Sequence, residues 1–103
     1  MNSVQSYYPI HPGAVVKDEI VARGISQKQL SGLLGVPYTM LNEILNGKRT
    51  LSTDMALLFE AALEINAEML INMQSRYSLR IARSSKPMME RFARIRQACA
   101  AIL

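Results

Sequence analysis

Between Gln27 and Thr50 lie side chains whose chemistry suits the base edges and phosphates of a DNA duplex. Asn42 carries an amide that can pair bidentately with adenine, and the Thr39 methyl can meet the methyl of thymine. Glu43 is able to accept from a cytosine amine; beside phosphates it serves equally as a negative selector or as the partner of a local cation. Tyr38 suits a phosphate contact. Lys48, Arg49 and Thr50 suit phosphates too, although a charged loop is also ordinary solvated surface. Gln27 and Lys28 stand where a helix begins. The Gln27 amide and the free N–H groups there can hold a phosphate oxygen, the alternative being two solvent-facing side chains. Met40 reads either as a half-exposed wedge or as packing.

Such residues work only if two helices hold them at a fixed angle. Ser26 is an N-cap residue, and Gln27 to Leu34 follow with helical spacing at Leu30, Leu33 and Leu34. Gly35 stops that helix, because glycine takes the left-handed conformation after a last turn at little cost. Val36 is expected to plug the gap between the helices. Pro37 is expected at the first position of the next helix, where its missing N–H is no loss. Tyr38 to Asn46 supply that helix, with Leu41, Ile44 and Leu45 on its inner face, and Gly47 ends it. Small Ser31 sits where the two helices must pass closely, and a connection of only three or four residues forces a steep crossing. The pair reads as a helix-turn-helix, whose second helix offers its N-terminal residues to a major groove.

The rest of the chain supplies the support. Residues 1–10 read as an irregular arm, with Tyr7 or Tyr8 packing on the body. His11-Pro12-Gly13 reads as a turn before a helix over Ala14 to Arg23, with Val15, Val16, Ile20 and Val21 inward. Leu51 looks like a hydrophobic staple ahead of the N-cap Ser52. A fourth helix covers Thr53 to Glu64, turning Met55, Ala56, Leu58, Phe59, Ala62 and Leu63 mostly inward. Asn66 caps a fifth helix from Ala67 to about Ser84. Ser84-Ser85-Lys86-Pro87 breaks it. A sixth helix runs from Pro87, with Met88, Phe92, Ile95, Cys99 and Ile102 on a narrow seam. No strand pattern occurs. The prediction is an all-α fold: a five-helix helix-turn-helix domain over residues 11–84 with an additional C-terminal helix over 85–103.

Composition narrows the function. The 103 residues carry a net charge of +4 and are half apolar, enough for one small core. After Gln74 seven basic side chains face only Glu90, whereas the first 74 residues hold five basic and seven acidic ones. The cations of the reading unit must therefore act locally, or the C-terminal region must add to the field. No apolar run of membrane-spanning length and no secretory signal is present, and a lone Cys99 makes no internal disulfide, which fits a cytoplasmic setting. An enzyme is not expected: Cys99 has no histidine downstream to activate it, and there is no metal or cofactor constellation. A membrane-surface role for the basic last helix is weighed down by its lack of lysine and tryptophan.

Ser26-Gln27, Leu30, Leu33-Leu34-Gly35-Val36, Leu41 and Asn46-Gly47-Lys48-Arg49 resemble the phage-repressor-like (XRE/Cro-type) helix-turn-helix family. Around them, His11-Pro12-Gly13, Asn42-Glu43-Ile44, Leu51-Ser52, Met55-Ala56-Leu57, and Glu68 with Asn72 and Gln74 resemble its HigA/VapI-type antitoxin subgroup. The likeness spans His11 to Ser78. Met69-Leu70 replace the subgroup's usual Phe-Trp pair, and Glu64 stands where a glycine or small residue often ends the fourth helix. The resemblance implies a dimeric repressor of its own operon that neutralises a ribonuclease toxin acting on messenger RNA. The alternative is a stand-alone repressor of a mobile element with no toxin. Reading a palindromic double-stranded operator requires two copies on a two-fold axis. The homodimer surface is expected on the fifth helix, at Met69, Leu70, Met73 and Tyr77, with the Phe92-Ile95-Ile102 seam as an extension.

Overall fold

Side-chain caps set most of the helix starts in this chain, and a computed structural model describes its residues 9–103. The described residues form six helices and no strand: α1 Pro12–Ala22, α2 Gln27–Leu34, α3 Tyr38–Leu45, α4 Thr53–Leu63, α5 Ala67–Ser84 and α6 Lys86–Ile102. Most of the arm expected over residues 1–10, including Tyr7 and Tyr8, lies outside the described residues.

Ser26, Ser52 and Asn66 each accept from a backbone N–H in the first turn that follows, as their types foretell. At Ser26 the capping box is complete: the Ser26 hydroxyl accepts from the Gln29 amide at 3.0 Å and the Gln29 side chain accepts from the Ser26 amide at 2.8 Å. Gly35 and Gly47 adopt φ of 70° and 74° behind α2 and α3. At Gly47 the Lys48 N–H reaches back to the Glu43 carbonyl and the Gly47 N–H to that of Ile44, which is the Schellman closure.

Three helix starts differ from the sequence reading. Pro37 is the N-cap of α3, not its first residue, with an extended ψ of 139°. α1 starts two residues earlier than expected, because His11 caps it and Pro12 is its first residue. α6 starts at Lys86, capped by the Ser85 hydroxyl.

The core gathers one stripe from each of the first five helices: Val16 and Ile20, Leu30, Leu41 with Ile44 and Leu45, Phe59 with Leu63, and Leu70. Leu51 is buried as the staple reading requires, and Val36 packs partly buried against this cluster. Some side chains expected inside are outside. Val21 is 73 % exposed and Leu33 74 %. The buried face of α1 follows the four-residue step from Val16 to Ile20, and that of α2 follows Leu30 and Ser31, so each of these two falls off its stripe. Ala62 is likewise exposed. α6 packs against α5, but none of its residues is buried.

Glu64 ends α4 with φ of +59°, the one non-glycine among the described residues with positive φ. A side chain in the left-handed region costs roughly 1–2 kcal/mol, partly offset by the greater unfolded-state freedom of glycine. Glu64→Gly is therefore expected to stabilise the domain by about 0.5–1 kcal/mol, raising Tm by a few degrees in a thermal melt. An unchanged or lower Tm contradicts the strain.

Candidate nucleic-acid interface

α2 and α3 meet across Gly35, Val36 and Pro37, with Ser31 buried at their approach and its hydroxyl donating to the Lys28 carbonyl at 3.0 Å. Because the inner face of α3 is used up by Leu41, Ile44 and Leu45, its first turn stands out from the body. Tyr38 is 49 % exposed, Thr39 is exposed, and Asn42 and Glu43 are half-buried. Ser26, Gln27, Lys28 and Tyr38 line one shallow depression, which places the start of α2 beside the start of α3.

Asn42 is not a free amide. Its Nδ2 donates to Gln27 Oε1 at 2.8 Å, across the angle between the helices. This contact fixes which way both amides face. Asn42 keeps its Oδ1 and its second N–H for a ligand, the acceptor–donor pair that adenine needs. Gln27 keeps its own NH₂, a donor suited to a phosphate oxygen. The two residues named separately from the sequence are thus one unit.

Glu43 forms a local ion pair. Its Oε1 accepts from Arg49 Nε at 2.9 Å and lies 2.7 Å from Arg49 Nη2. The guanidinium is held over the end of α3 with part of its donor fork unused. Lys48, Arg49 and Thr50 are all exposed, as a phosphate-facing loop requires. Lys28 is exposed as well.

The structure adds residues that the sequence reading passed over. Lys17 of α1 donates to Asn46 Oδ1 at 2.9 Å, and Asn46 donates to the Asn42 carbonyl at 2.9 Å, which brings one more cation to the end of α3. The signal for it was thin: an exposed lysine on another helix, far off in sequence. His11 is not simply part of a turn. It is buried, its Nδ1 accepts from the Gly13 N–H at 2.9 Å, and its Nε2 lies 3.1 Å from the Arg49 carbonyl. Burial pushes its pKa below the usual imidazole value, against a smaller opposing pull from the Arg49 carbonyl.

Of the residues expected at a dimer surface, Leu70 has no surface to offer: it is 0 % exposed within its own chain's core. The core stripe of α5 runs through Leu70 itself. Met69 is 41 % exposed, while Met73 and Tyr77 are half-buried. The Tyr77 and His11 rings meet edge to face, with centroids 5.0 Å apart.

Comparison with known proteins agrees with this geometry. A helix-turn-helix family model matches residues 16–70. Virulence-associated proteins A' and I of Dichelobacter nodosus are 35 % and 32 % identical over 72 and 78 residues, and the chain spans 63 % and 72 % of their respective lengths. Among solved structures, the Pseudomonas aeruginosa antitoxin HigA with the higBA promoter is 35 % identical, with a TM-score of 0.69 over 74 % of this chain and 84 % of that one. An addiction module antidote protein of the HigA family from Coxiella burnetii is 30 % identical, with a TM-score of 0.64 over 73 % of this chain and 83 % of that one. Six helices, an outward α3 and these likenesses lead to one assignment: the chain belongs to the XRE-type helix-turn-helix DNA-binding family, in its HigA/VapI-type antitoxin group.

Proposed function

We propose that the protein is a cytoplasmic antitoxin that binds a palindromic double-stranded operator as a homodimer, represses its own operon, and neutralises a ribonuclease toxin. The observation that carries the DNA reading is the Gln27–Asn42 pair at the mouth of the helix-turn-helix, an amide held ready beside exposed Thr39 and Tyr38. Lys28 and the Lys48-Arg49-Thr50 loop flank it and supply phosphate contacts on both sides. The likeness to an antitoxin solved with its promoter supports the same reading.

Two copies are needed to read two half-sites roughly 34 Å apart. Met69, Met73 and Tyr77 recur every four residues along α5, and Ile95 and Ile102 of α6 are apolar and exposed. The dimer forms through these residues. Light scattering at tens of micromolar is expected to give twice the chain mass; a monomer there removes the dimer. Co-expression with the product of the adjacent reading frame tests the toxin. Stable co-purification with a small ribonuclease-like protein supports the antitoxin, and a lone gene with no such neighbour leaves a stand-alone repressor.

Glu43 limits non-specific binding in this scheme, because its carboxylate shares Arg49 with the phosphates. Glu43→Gln removes one negative charge from the interface. It is expected to tighten binding to random-sequence duplex about fivefold at ~0.1 M salt and to steepen the salt dependence by about one phosphate contact. Unchanged affinity on random duplex means that Glu43 does not face the backbone.

A further inference from the structure

The basic loop after α3 is gripped from two sides. From α1, His11 Nε2 lies 3.1 Å from the Arg49 carbonyl. From α5, the buried Gln74 side chain accepts from the Leu51 N–H at 2.9 Å and donates to the Ser78 hydroxyl at 3.0 Å. The two grips fall on either side of Thr50. We infer that His11 and Gln74 are positioning residues for DNA binding, which hold the Lys48-Arg49-Thr50 backbone in the one arrangement that aims its side chains at the phosphates. This inference rests on the proposed role of that loop.

The chemistry of the imidazole makes the link directional. Nδ1 accepts from the Gly13 N–H, so the proton of the neutral ring sits on Nε2 and is donated to the Arg49 carbonyl. One ring therefore caps α1 and ties the loop. It cannot swing away, because it is buried between the Tyr77 ring and the backbone of Gly47, where an added Cβ would lie 3.6 Å from the imidazole. Gln74 is also buried, with its amide oxygen and its amide nitrogen each bonded, so the grip from α5 is equally fixed. An exposed loop left loose would have to be ordered on the duplex, at a cost in conformational entropy. Here folding has already ordered it, which leaves more of the phosphate interaction to appear as affinity.

His11→Asn separates the two duties. Asparagine is a good N-cap and can keep the bond to the start of α1, but it is too short to reach the Arg49 carbonyl. Wild type, Arg49→Ala, His11→Asn and the double variant are titrated onto a random-sequence duplex of about two turns over a range of salt, at a temperature where circular dichroism shows all four folded. Arg49→Ala is expected to bind about fivefold more weakly with a salt slope shallower by about one. His11→Asn is expected to weaken binding severalfold and flatten the slope likewise. Adding Arg49→Ala to it should cost less than about twofold more, because the two act through one contact. Gln74→Met, which removes the grip on Leu51, is read in the same way and serves if His11→Asn does not fold. A folded variant that keeps the wild-type affinity and slope, or losses that multiply in full, overturns the inference. If Arg49→Ala itself binds like wild type, the phosphate role of the loop is wrong, and the inference falls with it for that separate reason.

Discussion

Gly13→Ala is expected to cost the domain about 3 kcal/mol and to lower Tm by roughly 15 °C, the largest effect of any single methyl in the chain. A Cβ at Gly13 would lie 1.9 Å from the Ile44 carbonyl oxygen and 2.8 Å from its carbon. Those are backbone atoms of α3, so no rotamer change relieves the clash. Either α1 backs away from α3 or the end of α3 shifts, and both moves disturb His11 and the loop it holds. Gly32 provides the control. It lies mid-helix in α2, and a Cβ there meets nothing within 4 Å. The same chemical change should stabilise at that site by about 0.5–1 kcal/mol, because alanine is the better helix former. Thermal or urea melts of the two variants are expected to move in opposite directions. If Gly13→Ala melts with wild type, α1 does not approach α3 as closely as described.

Asn42→Ala is expected to erase preference at one base pair of each half-site, a loss of about 1–3 kcal/mol, or roughly 5- to 150-fold, on the preferred DNA. Affinity for random duplex should hardly change, because Asn42 carries no charge for the backbone. The bond from Asn42 Nδ2 to Gln27 Oε1 at 2.8 Å sharpens the expectation. Removing Gln27 frees the amide to rotate, so Gln27→Ala should also blur that base pair, and the two losses should add to less than their sum. Equal losses on preferred and random DNA would assign Asn42 to the backbone instead.

Much of this was written in the chain. Ser26, Ser52 and Asn66 announce helix starts through their own hydrogen-bonding chemistry, and Gly35 and Gly47 announce ends through their backbone freedom. Those signals are local, and the structure keeps them. The partial surprises have a common cause. Pro37 can open a helix from inside or from the cap, and its fixed φ suits both. Leu33 and Val21 are apolar neighbours of core residues, yet a single helical step decides which of two adjacent side chains is buried.

The residues of the candidate site divide in the same way. The outward placement of Thr39 and Asn42 was legible because the outer strip of a short helix follows from its buried one. The pairing of Asn42 with Gln27 and that of Glu43 with Arg49 were not, since both depend on the angle between elements. His11 was the least legible. Its partners lie on α1, on the loop after α3 and on α5, a set that only the folded chain assembles. Leu70 errs the other way: an apolar residue expected at the dimer surface belongs wholly to the core.

The central claim is that α3, propped by α2, reads DNA as one half of a two-fold assembly. It is tested most directly by selecting bound duplexes from a random-sequence pool with the purified protein at moderate salt. Enrichment is expected of a palindrome whose half-sites lie about one helical turn apart, with one conserved position per half-site that disappears from the pool selected by Asn42→Ala. A pool that stays random after repeated rounds, or a motif without two-fold symmetry that Asn42→Ala leaves intact, would contradict it.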